Sequence, residues 1–165
     1  MRFLFYSLLI FFALNMFALS QNENSQNNKT AIITGLYLWN DWEKETNWEL
    51  PKDYEINQDS LNILKNLISK NNVKFLIFAG SWCGDSKSEL PKIILIFQKI
   101  GLQNSNYQLY GVDREKLEPT MHSAEFNIEK VPTLVVLENN KEIGRIVEYP
   151  KQNWIDDLIQ IIVNH

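Results

Sequence analysis

The sequence predicts an α/β domain in which a central mixed sheet is flanked by helices. Three observations carry that prediction. Val73–Phe78 is too apolar to alternate, as expected of a strand covered on both faces. Leu61, Ile63, Leu64, Leu67 and Ile68, and later Trp154, Leu158, Ile161 and Ile162, recur at helical spacing. Asn139-Asn140 separates two apolar runs, Thr133–Leu137 and Ile143–Glu148, and Asn tolerates the positive φ of a tight hairpin. Strand, helix, strand, helix, hairpin, helix is the order that places helices against a mixed sheet.

The chain has 165 residues, which suits one domain of ordinary size, and its 45% hydrophobic content is enough to build a core. Residues 1–20 are read apart from that core. Arg2, the nearly unbroken apolar run Phe3–Leu14 and the small residues Ala18-Leu19-Ser20 have the order of a cleaved secretory signal. An uncleaved N-terminal membrane anchor facing the extracytoplasmic side is the alternative. The expected location is secreted or periplasmic, with no stable membrane insertion once the signal is removed. Residues 21–30 are polar, rich in Asn, Gln and Ser, and are expected to be disordered. Asn28-Lys29-Thr30 is a glycosylation sequon in a eukaryotic setting. Residues 31–58 read as an N-terminal extension with a first strand within Ala31–Trp39, and Trp42, Trp48 and Tyr54 as aromatic cover for one edge of the core or as a binding surface. The main domain is expected over 59–165.

Asp59 or Ser60 is the expected cap of the first helix, which ends near Asn71-Asn72. After the central strand, a helix from about Cys83 to Ile100 carries Pro91, which removes one intrahelical hydrogen bond. Tyr107–Val112 is the next strand, and Pro119 opens a short helix toward Phe126. The formal net charge is −4, and loss of the leader takes away Arg2 and no acid. With no basic stripe, zinc-ligand spacing or phosphate-binding glycine loop, the sequence points to no nucleic acid, cofactor or metal. It sets no oligomeric state.

The chain has one cysteine, so Cys83 has no internal disulfide partner. It falls where the apolar strand breaks at Ala79-Gly80-Ser81 and a helix begins. Unpaired N–H groups and the positive end of the helix dipole favour a thiolate there, and the thiolate is the form that attacks disulfides. An inert buried cysteine is the alternative.

Trp82-Cys83-Gly84-Asp85-Ser86 with Pro91, followed by Phe126–Leu134 and the Asn139-Asn140 hairpin, resembles the thioredoxin family from roughly Leu61 to Val163. That resemblance implies a thioredoxin-like fold in which a cis Val131-Pro132 loop faces the active-site helix. Trp82, Gly84, Asp85, Val131 and Pro132 would line a substrate groove. Protein disulfides or thiols, or a low-molecular-weight thiol, would be the partners. The departures bear on mechanism. Ser86 stands where the second cysteine belongs and cannot release a mixed disulfide, although its hydroxyl could donate to the Cys83 thiolate; its plain role is to help the helix begin. Asp85 replaces a proline, suits the helix N-terminus and opposes a nearby thiolate. Ile77 replaces the buried aspartate of cytoplasmic thioredoxins. Glu89 resembles the glutamate of the extracytoplasmic TlpA-like branch and joins Cys83 and Ser86 as a catalytic candidate, with simple solvation as its alternative. Glu148, near a family glycine, would form an acidic rim with Asp85. His122 and His165 fall in no triad or metal pattern, and the threonine and proline of peroxiredoxins are missing. The implied function is single-cysteine thiol–disulfide exchange, isomerase-like or resolved by an external thiol, with a non-turnover adaptor that keeps the groove as the alternative.

Overall fold

The computed structural model describes residues 32–165. The expected leader and the polar segment 21–30 lie outside them. Among the described residues no helix is long and apolar enough to cross a membrane.

The described elements are β1 Gly35–Tyr37, α1 Trp39–Thr46, α2 Gln58–Lys70, β2 Val73–Ala79, α3 Gly84–Ile100, β3 Tyr107–Gly111, α4 His122–Glu125, β4 Thr133–Glu138, β5 Lys141–Val147 and α5 Trp154–Val163, with a 3₁₀ turn at Asn104–Asn106. The strands form one sheet in the order β1-β3-β2-β4-β5. β2 runs parallel to β3 and antiparallel to β4, and β1 and β5 close the edges antiparallel. The parallel β2–β3 pair requires a crossover, which α3 supplies. The expected α/β architecture with a mixed sheet is the one observed.

Alternate residues of β2 serve two cores. Val73, Phe75, Ile77 and Ala79 face a large cluster that includes Leu64, Leu90, Ile94, Phe97 and Leu158 from α2, α3 and α5. Leu76 and Phe78 face a smaller cluster with Tyr110, Val112, Ile128, Val131, Val135 and Leu137, against which Trp82 and Cys83 pack. The second face is therefore covered by α4 and the chain from Phe126 to Val131 rather than by a full helix layer. That lighter cover brings the cysteine and the proline loop together.

Local capping explains where the elements depart from expectation. Asn57, not Asp59 or Ser60, caps α2: its side chain accepts from the N–H groups of those two residues at 2.9 and 3.0 Å. Pro119 does not open α4. Met121, at φ 63°, precedes the helix. The buried Glu118 carboxylate accepts from Thr120 N–H and Oγ1–H at 2.6 Å each and from Ser123 N–H at 3.2 Å, so an acid four residues ahead of the helix fixes the turn before it and satisfies one of its first donors. In the hairpin, Asn139 and Asn140 both have positive φ, as a two-residue turn of the right twist demands.

The 31–58 segment contributes more than a possible strand. β1 pairs with β3, and α1 buries Trp39 and Trp42 in the large core together with Trp48. Trp42 meets Tyr37 and Trp48 edge-on, at ring-centroid distances of 5.9 and 5.7 Å. Trp42 and Trp48 are core, and Tyr54 packs half-buried against it together with Leu50 and Ile56, in the same cluster as Leu61 and Leu64 of α2. Gly111 makes room for this segment: a side-chain carbon there would come within 2.6 Å of the Ile33 carbonyl oxygen.

Candidate active site

β2 ends at Ala79, and the turn Gly80–Trp82 hands the chain to α3. Cys83 is the N-cap residue of α3, in extended conformation, and its N–H bonds the Gly80 carbonyl at 2.9 Å. Its own side chain caps nothing; the helix N-terminus is left facing the sulfur. The thiol is half-buried, and Sγ donates to the Val131 carbonyl at 3.3 Å. The Val131–Pro132 peptide bond is cis. Thr133 Oγ1 ties the same loop by donating to the Lys130 carbonyl at 2.7 Å. A side-chain carbon built on Gly84 would meet nothing within 4 Å, so the first turn of α3 is open on that side.

Trp82 flanks the thiol. Its Nε1–H donates to the Val112 carbonyl at 2.9 Å, and the Arg114 guanidinium and Lys116 ammonium lie 5.1 and 5.9 Å from its ring centre. Gly80 is required by this packing, since a side-chain carbon there would lie 2.7 Å from the ring.

Three expectations are corrected here. The Ser86 hydroxyl is fully buried and accepts from the Gly80 N–H at 3.1 Å, so it closes the strand-to-helix turn and makes no hydrogen bond to Cys83. The reason is direction: an oxygen in the first turn is drawn to the nearest unpaired buried amide, which would otherwise cost about 1–3 kcal/mol. Glu89 is not a solvated acid. It is buried, with Oε1 accepting from Lys92 Nζ at 2.6 Å and Ser88 Oγ at 2.9 Å, and Oε2 accepting from Trp154 Nε1 at 2.9 Å. Oε2 joins α3 to α5 through Trp154, Oε1 is held by Ser88 and Lys92 of α3 itself, and neither oxygen bonds Cys83. The acidic rim is also neutralised in part, because Glu148 pairs with Lys130 at 2.8 Å and Asp85 accepts the Tyr149 hydroxyl.

Burial pushes the Glu89 carboxyl up, but the hydrogen bonds from Lys92, Trp154 and Ser88 outweigh it and hold the group below its ordinary value of 4.5. Glu118 is lowered in the same way by Thr120 and Ser123, against its own desolvation. A depressed carboxyl contributes stability that is present above the unfolded value and lost as pH falls through the folded one. Urea midpoints are therefore expected to drop as the pH is taken below about 4.5. Glu89→Gln should show a lower midpoint at neutral pH and a shallower acid decline; an unchanged slope would remove Glu89 from that account.

Tyr149, Lys130, Arg114 and Lys116 were not singled out by the sequence. The signal for Tyr149 was present: an aromatic follows Glu148 directly, opposite the Asp85 that stands in place of proline.

A family model described as thioredoxin matches residues 38–158. The chain belongs to the thioredoxin family. Thioredoxin C-3 of Corynebacterium nephridii is 30% identical over 111 residues, covering 64% of this chain and 70% of that one. The thioredoxin of Mycoplasma genitalium is 33% identical over 98 residues, covering 59% of this chain and 90% of its own. A crystal structure of a thioredoxin from Nicotiana alata is 27% identical, covers 66% of this chain and 83% of that one, and superposes with a TM-score of 0.40. In this thioredoxin-family chain the match begins at Leu38, inside the segment that the sequence had set apart.

Proposed function

We propose that this protein is a single-cysteine thiol–disulfide exchange protein, acting through Cys83 on protein or small-thiol disulfides. The observation that carries the reading is the placement of the thiol: Sγ at the uncapped N-terminus of α3, 3.3 Å from the carbonyl that precedes the cis proline. The Cys83 thiolate attacks one sulfur of a substrate disulfide, a new S–S bond forms as the old one breaks, and the departing thiolate takes a proton from solvent. With one cysteine in the chain, release requires an external thiolate, which attacks the adduct and regenerates Cys83. Electrons are exchanged between substrate and external thiol, and the protein itself ends unchanged.

In this reading Cys83 is the catalytic residue, and Trp82, Gly84, Val131 and Pro132 form the docking groove. Ser86 and Glu89 position the helix, Ser86 by closing the turn before it and Glu89 by fixing it to α5. A secreted or periplasmic location, supported by the leader at 1–20, places the protein where disulfides persist, and Glu89 supports a place near the TlpA-like branch.

Intact-mass measurement after addition of 2-hydroxyethyl disulfide tests the proposal. Wild type should gain one adduct and Cys83→Ser none. No adduct on folded wild type would favour the non-turnover adaptor.

A further inference from the structure

The contacts around Cys83 close on themselves. Sγ meets the Val131 carbonyl, the chain passes through the cis bond to Pro132, and the Pro132 carbonyl accepts the Glu148 N–H at 2.7 Å. The next residue, Tyr149, donates its hydroxyl to Asp85, which stands two residues beyond Cys83 on the first turn of α3. The turn after β5 is thus tied to both walls of the groove, to the proline loop by backbone and to the active-site helix by a side chain. We propose that the Tyr149–Asp85 bridge is a clasp that determines specificity, admitting low-molecular-weight disulfides to Cys83 and holding back disulfides carried on extended polypeptide. The inference rests on the exchange reading above and names its substrate class.

A polypeptide disulfide must bring several residues on each side of the attacked sulfur. In the docking groove of the exchange reading, a chain lying along Val131 and Pro132 runs beside the first turn of α3 and the turn at Glu148, which Tyr149 and Asp85 join. A small disulfide needs only to reach the half-buried Sγ, and the first turn of α3 is open at the neighbouring Gly84.

The clasp is built to stay formed at ordinary pH. The hydrogen bond to Asp85 pushes the Tyr149 phenol up to about 12, so it keeps the proton it donates. Glu148 holds φ 60° and pairs with Lys130, which fixes the turn that presents the ring. Tyr149 is 51% exposed, so the ring is not core filling and its removal leaves the fold intact.

The test compares second-order rates of adduct formation on Cys83 for 2-hydroxyethyl disulfide and for a ten-residue unstructured peptide bearing a central cysteine joined to mercaptoethanol. Wild type, Tyr149→Phe and Tyr149→Ala are measured as full mature chains with matched thermal melts. Freeing Asp85 alters the reactivity of Cys83 toward both substrates, so the ratio of the two rates is the readout. The ratio of peptide to small disulfide should rise about tenfold in Tyr149→Ala and by a smaller factor in Tyr149→Phe. A ratio in Tyr149→Ala within about threefold of wild type would overturn the clasp while leaving the exchange reading in place. Failure of the small disulfide to form an adduct with any of the three proteins would overturn both.

Discussion

Ser86→Cys is expected to shorten the life of a Cys83 mixed disulfide by at least about a thousandfold, because the variant supplies in the chain the thiol that, on the proposed exchange function, wild type must borrow from solution. Residues 83 and 86 stand three apart at the start of α3, a spacing that brings side chains on neighbouring turns within about 5–6 Å. The side chain at 86 is fully buried, so a sulfur there is shielded from substrates, and a χ1 rotation away from the Gly80 N–H would turn it toward an adduct on Cys83. The change weakens the acceptor for the buried Gly80 N–H, at a cost of up to about 1–3 kcal/mol, which a folded domain of this size tolerates. The adduct is prepared with 2-hydroxyethyl disulfide, freed of small molecules and followed by intact mass. Wild type should keep its adduct, and the variant should shed it and lose two hydrogens as the 83–86 disulfide closes. An adduct as durable in the folded variant as in wild type would mean that the turn does not direct position 86 toward Cys83.

Trp42→Ala should lower stability by about 3–5 kcal/mol in urea titration, the range for deleting a large buried aromatic. Trp42 has no exposed surface and packs edge-on against both Tyr37 and Trp48. Its loss leaves a cavity that its two aromatic neighbours, Tyr37 on an edge strand and Trp48 in the chain just after α1, fill poorly. A loss under about 1 kcal/mol would show that residues before 58 are an appendage to the core rather than part of it.

The contrast between those two sites describes what can be read from the chain. Val73–Ala79, the helices beginning near residue 58 and at Trp154, and the Asn139-Asn140 hairpin were legible because each is specified locally, by burial pattern or by turn residues that accept positive φ. α1 was not, because eight residues mixing tryptophan with acids and lysine carry little periodicity of their own, and Trp39 and Trp42 become a buried face only once β1 is paired with β3. The same limit applies at the site. Cys83 and the proline loop follow from the motif residues and their order. The partners of Ser86, Glu89 and Asp85 lie 6, 65 and 64 residues away in Gly80, Trp154 and Tyr149, and side-chain direction over such separations is set by the fold. Glu89 illustrates the consequence: at its position in the helix an acid reads as solvated, and it is the docking of Trp154 from α5 that buries it.

The proposed function requires that Cys83 form a covalent intermediate that only an external thiol can release. Its most direct test is the decay of the isolated wild-type adduct at increasing concentrations of a low-molecular-weight thiol. The account predicts a rate proportional to thiol concentration, with an intercept of zero and full recovery of the free Cys83 thiol. Release at a measurable rate without added thiol, or an adduct that persists in excess thiol while the protein remains folded, would contradict it.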